Sequence, residues 1–98
     1  MIKVKAKIFF NMDNRKTPIK SGYRPQCKFE GGVNTSGHID LKGRKYLYPG
    51  EEAVVEVKFI NKEYLGRKFG VGSRFTFSEG EFLIGKGEVL AFEKIEEG

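Results

Sequence analysis

The stretch best equipped for chemistry is Arg15 to Gln26, RKTPIKSGYRPQ, which packs two arginines, two lysines, two prolines, a glycine and a tyrosine into twelve residues. Arg15, Lys16, Lys20 and Arg24 supply charged donors, and a guanidinium matches a phosphate with two parallel N–H bonds. Pro18 and Pro25 fix φ and remove backbone donors. They also push Thr17 and Arg24 towards extended backbone, so the segment is not a helix. It is a stiff cationic ribbon. Like charges held close repel one another, which suits a surface that meets a polyanion. Tyr23, set among Lys20, Arg24 and Lys28, has two readings: it stacks on a base, or it is a core aromatic that anchors the ribbon.

The rest of the chain offers little for catalysis. His38 is the only histidine and Cys27 the only cysteine. His38 and Asp40 share a strand face by period two, which suits an oriented imidazole, but two residues on a wet face are ordinarily solvated. No Ser, His and Asp arrangement is visible. Gly70-Val71-Gly72-Ser73 has the glycines of a phosphate cradle without the helix that should follow it. A lone cysteine forms no internal disulfide, fits a reducing, cytoplasmic setting, and reads as a small buried hydrophobe. One His and one Cys do not make a zinc site of the common N/S kind. No catalytic residue, metal site or cofactor is expected.

Charge is unevenly distributed along the 98 residues, whose net charge is +5. Residues 1–28 hold eight Lys/Arg against one Asp, whereas residues 29–66 and 67–98 each hold five basic and six acidic residues. A local basic excess points to a polyanionic partner, and the bland alternative is solubility. An apolar fraction of 39% suits one globular domain over 1–98. No apolar run is long enough for a membrane helix, and the lysine-alternating start is not a signal peptide.

The elements that must position the ribbon read as strands. Ile2 to Phe10 alternates strictly, with Ile2, Val4, Ala6, Ile8 and Phe10 on one face and Lys3, Lys5 and Lys7 on the other. Those lysines would guard an exposed sheet edge. A polar turn, Asn11 to Asn14, leads into the ribbon. Tyr23–Glu30 and Ser36–Leu41 follow as strands, and Lys42-Gly43-Arg44-Lys45 as a turn. Pro49-Gly50 is a strong turn signal ahead of a strand from Glu52 to Asn61. Lys62 to Gly72 reads as a loop capping one barrel end, with a short helix as the alternative. Ser73–Glu79 and Phe82–Phe92 complete the set around the tight reversal Glu79-Gly80-Glu81. Gly85 and Gly87 share a face and mark a bend. Glu93–Gly98 reads as a frayed charged tail. Six strands with frequent turns and no helical period predict an all-β fold, an antiparallel barrel. The expected core is Ile2, Val4, Ile8, Phe29, Ile39, Val55, Val57, Phe59, Phe75, Phe77 and Val89.

The ribbon also carries a resemblance. Thr17, Pro18, Gly22, Tyr23, Arg24, Pro25 and Gln26 reproduce the TPxxxGYRPQ spacing of the C-terminal barrel domain of elongation factor Tu. The opening KVKAKIFF resembles that family's first strand. Tyr48-Pro49-Gly50-Glu51-Glu52, Arg74-Phe75 with Ser78-Glu79-Gly80, and Gly85-Lys86-Gly87-Glu88-Val89 resemble later family segments in the same order. The resemblance implies a six-stranded Greek-key barrel. It also implies the family's two tasks for this domain, gripping the T-stem backbone of tRNA and packing against a GTP-binding domain. By that resemblance the tRNA-contacting positions fall on Arg15, Gln26, Thr35 and the Glu79-Gly80 turn, with Lys20 and Arg24 adding charge from the ribbon. The Arg74–Ser78 strand aligns with the region near the GTP-binding domain. This chain departs from the pattern at Cys27-Lys28, at GGVNTSG, at Glu81-Phe82 and in the longer Lys62–Gly72 loop.

The chain holds no GxxxxGK[ST] loop, so nucleotide hydrolysis is not expected. Met1 and the glutamate-rich end suggest a free-standing protein. The expectation is a non-catalytic module that binds structured, tRNA-like RNA. A protein-docking module is the alternative, with Tyr46, Tyr48, Tyr64 and Phe69 as unpaired aromatics suited to an interface.

Overall fold

In the computed structural model, which describes residues 1–95, β1 (Ile2–Phe10) is the strand its alternation dictates. Ile2, Val4, Ala6, Ile8 and Phe10 are fully buried, and Lys3, Lys5 and Lys7 point the other way. Then come β2 (Gln26–Phe29), β3 (Thr35–Asp40), β4 (Glu52–Phe59), β5 (Arg74–Glu79) and β6 (Phe82–Ile95). All pairings are antiparallel, and the strands close in the order β1-β4-β3-β2-β5-β6. β2, β3 and β4 are successive neighbours and β1 returns beside β4, which makes the barrel a Greek key.

Closure corrects one expectation. β1 lies between β4 and β6 and is not a sheet edge. The fourteen residues of β6 reach round to pair with β1 along its whole length. Its lysines therefore have no edge to guard.

Strand ends shift for local reasons. Tyr23 forms a single bridge with Ile39, and Pro25 has no N–H to continue a ladder, so β2 begins only at Gln26. The Lys62–Gly72 segment is both things expected of it. It opens with one turn of 3-10 helix, Lys62–Leu65, whose start is capped by the Asn61 side chain accepting from the Glu63 N–H at 3.0 Å, and then runs as a loop. Glu93 to Ile95 belong to β6 rather than to a frayed tail, and the remaining tail residues, 96–98, lie outside those described.

Every residue expected in the core is buried. Ala6, Phe10, Cys27 and Leu41 join them as the alternation implies, and Ile19 and Leu47 arrive from loops, Leu65 from the 3-10 turn and Ile84 from the start of β6. Gly85 and Gly87 face inward, and a Cβ on either would collide with the ring of its register partner on β5, Phe77 or Phe75. Phe29, Phe59, Phe69 and Phe75 pack edge-on or tilted, with Phe29–Phe69 centroids at 4.9 Å.

The barrel therefore has two different ends. The hairpin end carries the Asn11–Asn14 turn, the Tyr48–Glu51 turn and the β5–β6 hairpin. The groove end carries the β2–β3 turn, the 3-10 turn and residues 66–73.

Candidate functional site

The ribbon crosses the hairpin end. Buried Ile19 exchanges two 2.9 Å backbone hydrogen bonds with Leu47. Gly22 donates to the Ile39 carbonyl at 2.9 Å, and the Ile39 N–H donates to the Tyr23 carbonyl at 2.9 Å. Between these ties the chain reverses at Lys20–Tyr23, where Gly22 takes φ +97°. A type II turn demands that conformation at its third residue, and glycine adopts it without strain.

Arg15 is the chief fastener. Its Nη1 donates to Glu79 Oε2, its Nε to the Thr17 carbonyl at 3.1 Å and its Nη2 to the Pro18 carbonyl at 3.1 Å. Its guanidinium carbon lies 5.1 Å from the centre of the Tyr23 ring. The Tyr23 hydroxyl donates to the same Glu79 oxygen. Burial pushes the Glu79 carboxyl up, but the Tyr23 and Arg15 hydrogen bonds and the Arg15 charge outweigh it, so the group sits below its ordinary range. The Tyr23 phenol is pushed well above its ordinary value, first by burial and then by its bond to Glu79 and that carboxylate's charge, with Arg15 opposing. Both groups hold their bonded protonation states across neutral pH. Of the two readings of Tyr23, the anchor is the one this geometry matches.

The structure brings together Arg15, Glu79 and Gly80. Gly80 sits at the exposed hairpin tip with φ +60°. Arg15 and Glu79 satisfy each other there. Lys20 and Arg24 are exposed, and their charged groups have no partner among the described residues. Gln26 points outward from β2. Thr35 is not part of this group. It stands opposite Cys27, on the inward-facing side of β3 near the groove end.

The outward side of β2, β5 and β6 does assemble a polar surface. Register places Ser36, Gln26 and Ser78 in one row, and Lys28, Thr76 and Lys86 in the next. Arg74 stands opposite Glu88, with an Nε–Oε1 separation of 3.6 Å. Adjacent strands are ~4.8 Å apart, so the Lys28 and Lys86 backbones are ~10 Å apart with a hydroxyl between them. Lys28 has no ion pair among the described residues, and Lys86 stands 6.0 Å from the centre of the Phe9 ring. A hollow of about 290 Å3 lies at the β6 side of this face, lined in part by Phe9, Arg74, Lys86 and Glu88.

Local charge in sequence does not become one face in space. β1 and β2 are three strands apart in either direction round the barrel. Lys3 and Lys7 therefore stand on the wall opposite Lys28, and both are paired there, Lys3 with Glu56 at 3.5 Å and Lys7 with Glu52 at 3.4 Å. Glu56, the one buried charged residue described, also holds Lys42 at 3.2 Å. A hydrogen bond shared with Glu93 and both lysines lower its carboxyl against the cost of burial, while Glu93 is raised.

Other sequence candidates settle elsewhere. The Asp40 carboxylate accepts from the Lys42 N–H at 2.8 Å and lies 3.4 Å from the Ser21 hydroxyl, so it is used by the turn and not by His38. Burial pushes the Cys27 thiol up to about 12, which leaves it unreactive. Phe69 is not an unpaired aromatic, because it packs against Phe29 and Phe92. Lys28, Thr76, Ser78 and Lys86 are the residues sequence reasoning passed over as a group. The Arg74–Thr76–Ser78 alternation signalled an outward polar row, but only register joins it to Lys28 and Lys86. Compared with models of known protein families, the chain matches none.

Proposed function

We propose that the protein is a non-catalytic module that binds structured RNA through the outward face of β2, β5 and β6. The observation that carries this reading is the row Lys28–Thr76–Lys86 beside Gln26 and Ser78. It sets unneutralised ammonium groups among hydroxyl and amide groups on a rigid sheet. Ammonium groups meet phosphates, and hydroxyls and amides meet ribose 2′-hydroxyls, so such a face reads backbone shape rather than sequence. Arg24 extends the charge along the line of β2. The resemblance of the ribbon and later segments to the elongation factor Tu C-terminal domain supports the same class of partner, a tRNA-like helix. In this reading Arg15 and Glu79 hold the ribbon in place and do not grip the RNA.

The test is a salt titration of binding to a tRNA-sized folded RNA. Affinity should fall with a log–log slope of roughly −0.7 to −0.9 per phosphate contact. Lys28→Ala, Lys86→Ala and Arg24→Ala should each make the slope shallower by roughly 1. Lys5→Ala, on the opposite wall, should leave it unchanged. Absence of binding at low salt would sink the reading.

One observation favours a second reading, protein docking. Met12, Phe82 and Leu83 are 64%, 61% and 46% exposed, and they cluster at the hairpin end, where the Asn11 and Asn14 amides hold the Leu83 carbonyl. Exposed apolar groups of this kind suit a protein partner. Retention of RNA binding in Phe82→Ser would assign the apolar cluster to a separate task.

A further inference from the structure

At the groove end a cavity of about 750 Å3 opens between the β2–β3 turn and the loop 66–73. Both walls are fixed by backbone. On one side the Val33 N–H donates to the Tyr64 carbonyl at 2.9 Å, and Gly32 and Gly66 allow the turn and the 3-10 segment to touch main chain to main chain. On the other side Gly70 donates to the Ser73 hydroxyl at 2.8 Å, and Gly72 and Ser73 exchange bonds with Val89 at 2.8 and 2.9 Å. The floor is apolar, made by Phe29, Leu65 and Phe69, and Val71 stands beside it at 64% exposure. The rim carries Arg67, Lys68 and Arg74 against the single acid Glu30.

The Arg67 and Lys68 side chains are exposed and make no hydrogen bond or ion pair among the described residues, while the Lys68 carbonyl accepts from the Ser73 hydroxyl at 3.4 Å. The arrangement thus offers a preformed space with an apolar base and a cationic edge. A pocket of this size is in the usual range for a small ligand. Its chemistry selects a molecule with a flat apolar body and a compact anion at one end. Arginine's fork matches a carboxylate and a phosphate alike, but a phosphate monoester brings roughly −1.5 to −2 charge and three acceptor oxygens, enough to meet Arg67 and Lys68 together.

We propose that this groove binds a nucleoside monophosphate unit, with the phosphate on Arg67 and Lys68 and the base against Phe69 and Val71. The unit has two sources, a free nucleotide or an unpaired end of RNA. Arg74 belongs both to the groove rim and to the β5 face, so an RNA on that face runs towards the groove. This second source rests on the RNA-binding reading, whereas the free nucleotide does not.

The experiment is titration of the 98-residue protein with adenosine 5′-monophosphate, followed by calorimetry and by backbone amide shifts. Saturable binding is expected, with shifts confined to residues 29–33 and 65–74. Inorganic phosphate should bind roughly tenfold more weakly, because it forgoes stacking of the base. Arg67→Ala/Lys68→Ala should weaken nucleotide binding roughly tenfold or more, since charge-assisted bonds are lost. Phosphate binding as well as the nucleotide, or a double variant that binds normally, would overturn the proposal. A second arm compares a blunt RNA duplex with one bearing a single-nucleotide overhang. Preference for the overhang that disappears in the double variant assigns the groove to an RNA end, and equal binding assigns it to free nucleotide. Nucleotide binding with neither duplex bound would leave the groove standing and remove the RNA reading.

Discussion

At the hairpin end Arg15 donates to a carboxylate and two carbonyls, and Tyr23 closes on the same carboxylate. At the groove end the Arg67 and Lys68 side chains donate to nothing among the described residues. The same residue types thus do opposite work some strand-lengths apart. At the hairpin end the Arg15 charge is consumed in holding an extended segment that has few backbone bonds of its own, while Lys20 and Arg24 beside it stay exposed. At the groove end the backbone is already fixed by glycine contacts and main-chain hydrogen bonds, so the side chains are left for solvent or ligand. Positive charge identifies a binding surface only where the fold has no use for it.

The comparison breaks most visibly at two glycines. A Cβ on Gly32 would run into the Tyr64 carbonyl and stand 3.0 Å from the Leu65 carbonyl carbon, both of them backbone. Gly32→Ala should cost about 2–3 kcal/mol, at the upper end for overpacking because a main chain cannot rotate aside. Gly80 at the other end has open space around it and only its φ of +60° to defend. Gly80→Ala should cost about 1 kcal/mol. Urea denaturation of both variants measures the difference. Equal costs would mean that the groove wall is not the rigid element described.

The next effect lies in the clamp. Arg15→Ala frees the Thr17 and Pro18 carbonyls and leaves Glu79 with only Tyr23. The loss should be about 1–2 kcal/mol, less than for a buried pair because the Arg15 and Glu79 side chains are 25% and 40% exposed. Tyr23→Phe removes one donor to the same oxygen. A double-mutant cycle between Arg15→Ala and Tyr23→Phe should show coupling of about 0.5 kcal/mol or more, since the two share an acceptor. Additive losses would mean that the three groups do not act as one fastener.

These costs explain what was legible in the chain. Binary patterning displayed the barrel almost completely, because inward and outward faces alternate in every strand and the sequence states that alternation directly. Leu47 and Ile19 escaped it, since each is buried through a single bridge with no period around it. Site reading went less well for a related reason. Arg15 has the same appearance in sequence whether its guanidinium faces solvent or Glu79, which lies 64 residues away. Lys28 and Lys86 become neighbours-but-one only through two registers. The charge excess in residues 1–28 looked local because the chain was read as a line, while the Greek-key order sends β1 and β2 to opposite walls.

Acidity gives a smaller, sharper test. The Glu79 carboxyl is depressed in the folded protein. Its contribution is therefore present above the unfolded value, ~4.3 for glutamate, and is lost as pH falls through the folded value. The Tyr23 phenol is raised, so its contribution holds below ~10 and fades as pH climbs beyond that. Glu79→Gln keeps the shape and removes the charge. The stability gap between wild type and Glu79→Gln should be widest between pH 5 and 9, on the order of 1 kcal/mol, and should shrink below pH 4. Taking the difference cancels the other carboxylates, Glu51 and Glu56 included. A gap that is flat through the acid limb would show that the clamp is not electrostatic.

The smallest expected effect is the most discriminating. Arg67→Ala should change stability by no more than about 0.5 kcal/mol, as for a surface residue with no partners, and that change should not depend on pH. Arg15→Ala and Arg67→Ala are the same chemical edit, and net charge falls equally in both. Any general effect of charge on the compact state is thus shared, and what remains is whether the guanidinium is engaged by the fold. If chemical denaturation gave Arg67→Ala a loss comparable to Arg15→Ala, then Arg67 would be holding the loop 66–73 in place. The groove rim would then be another clamp, and Arg67 would no longer differ in kind from Arg15.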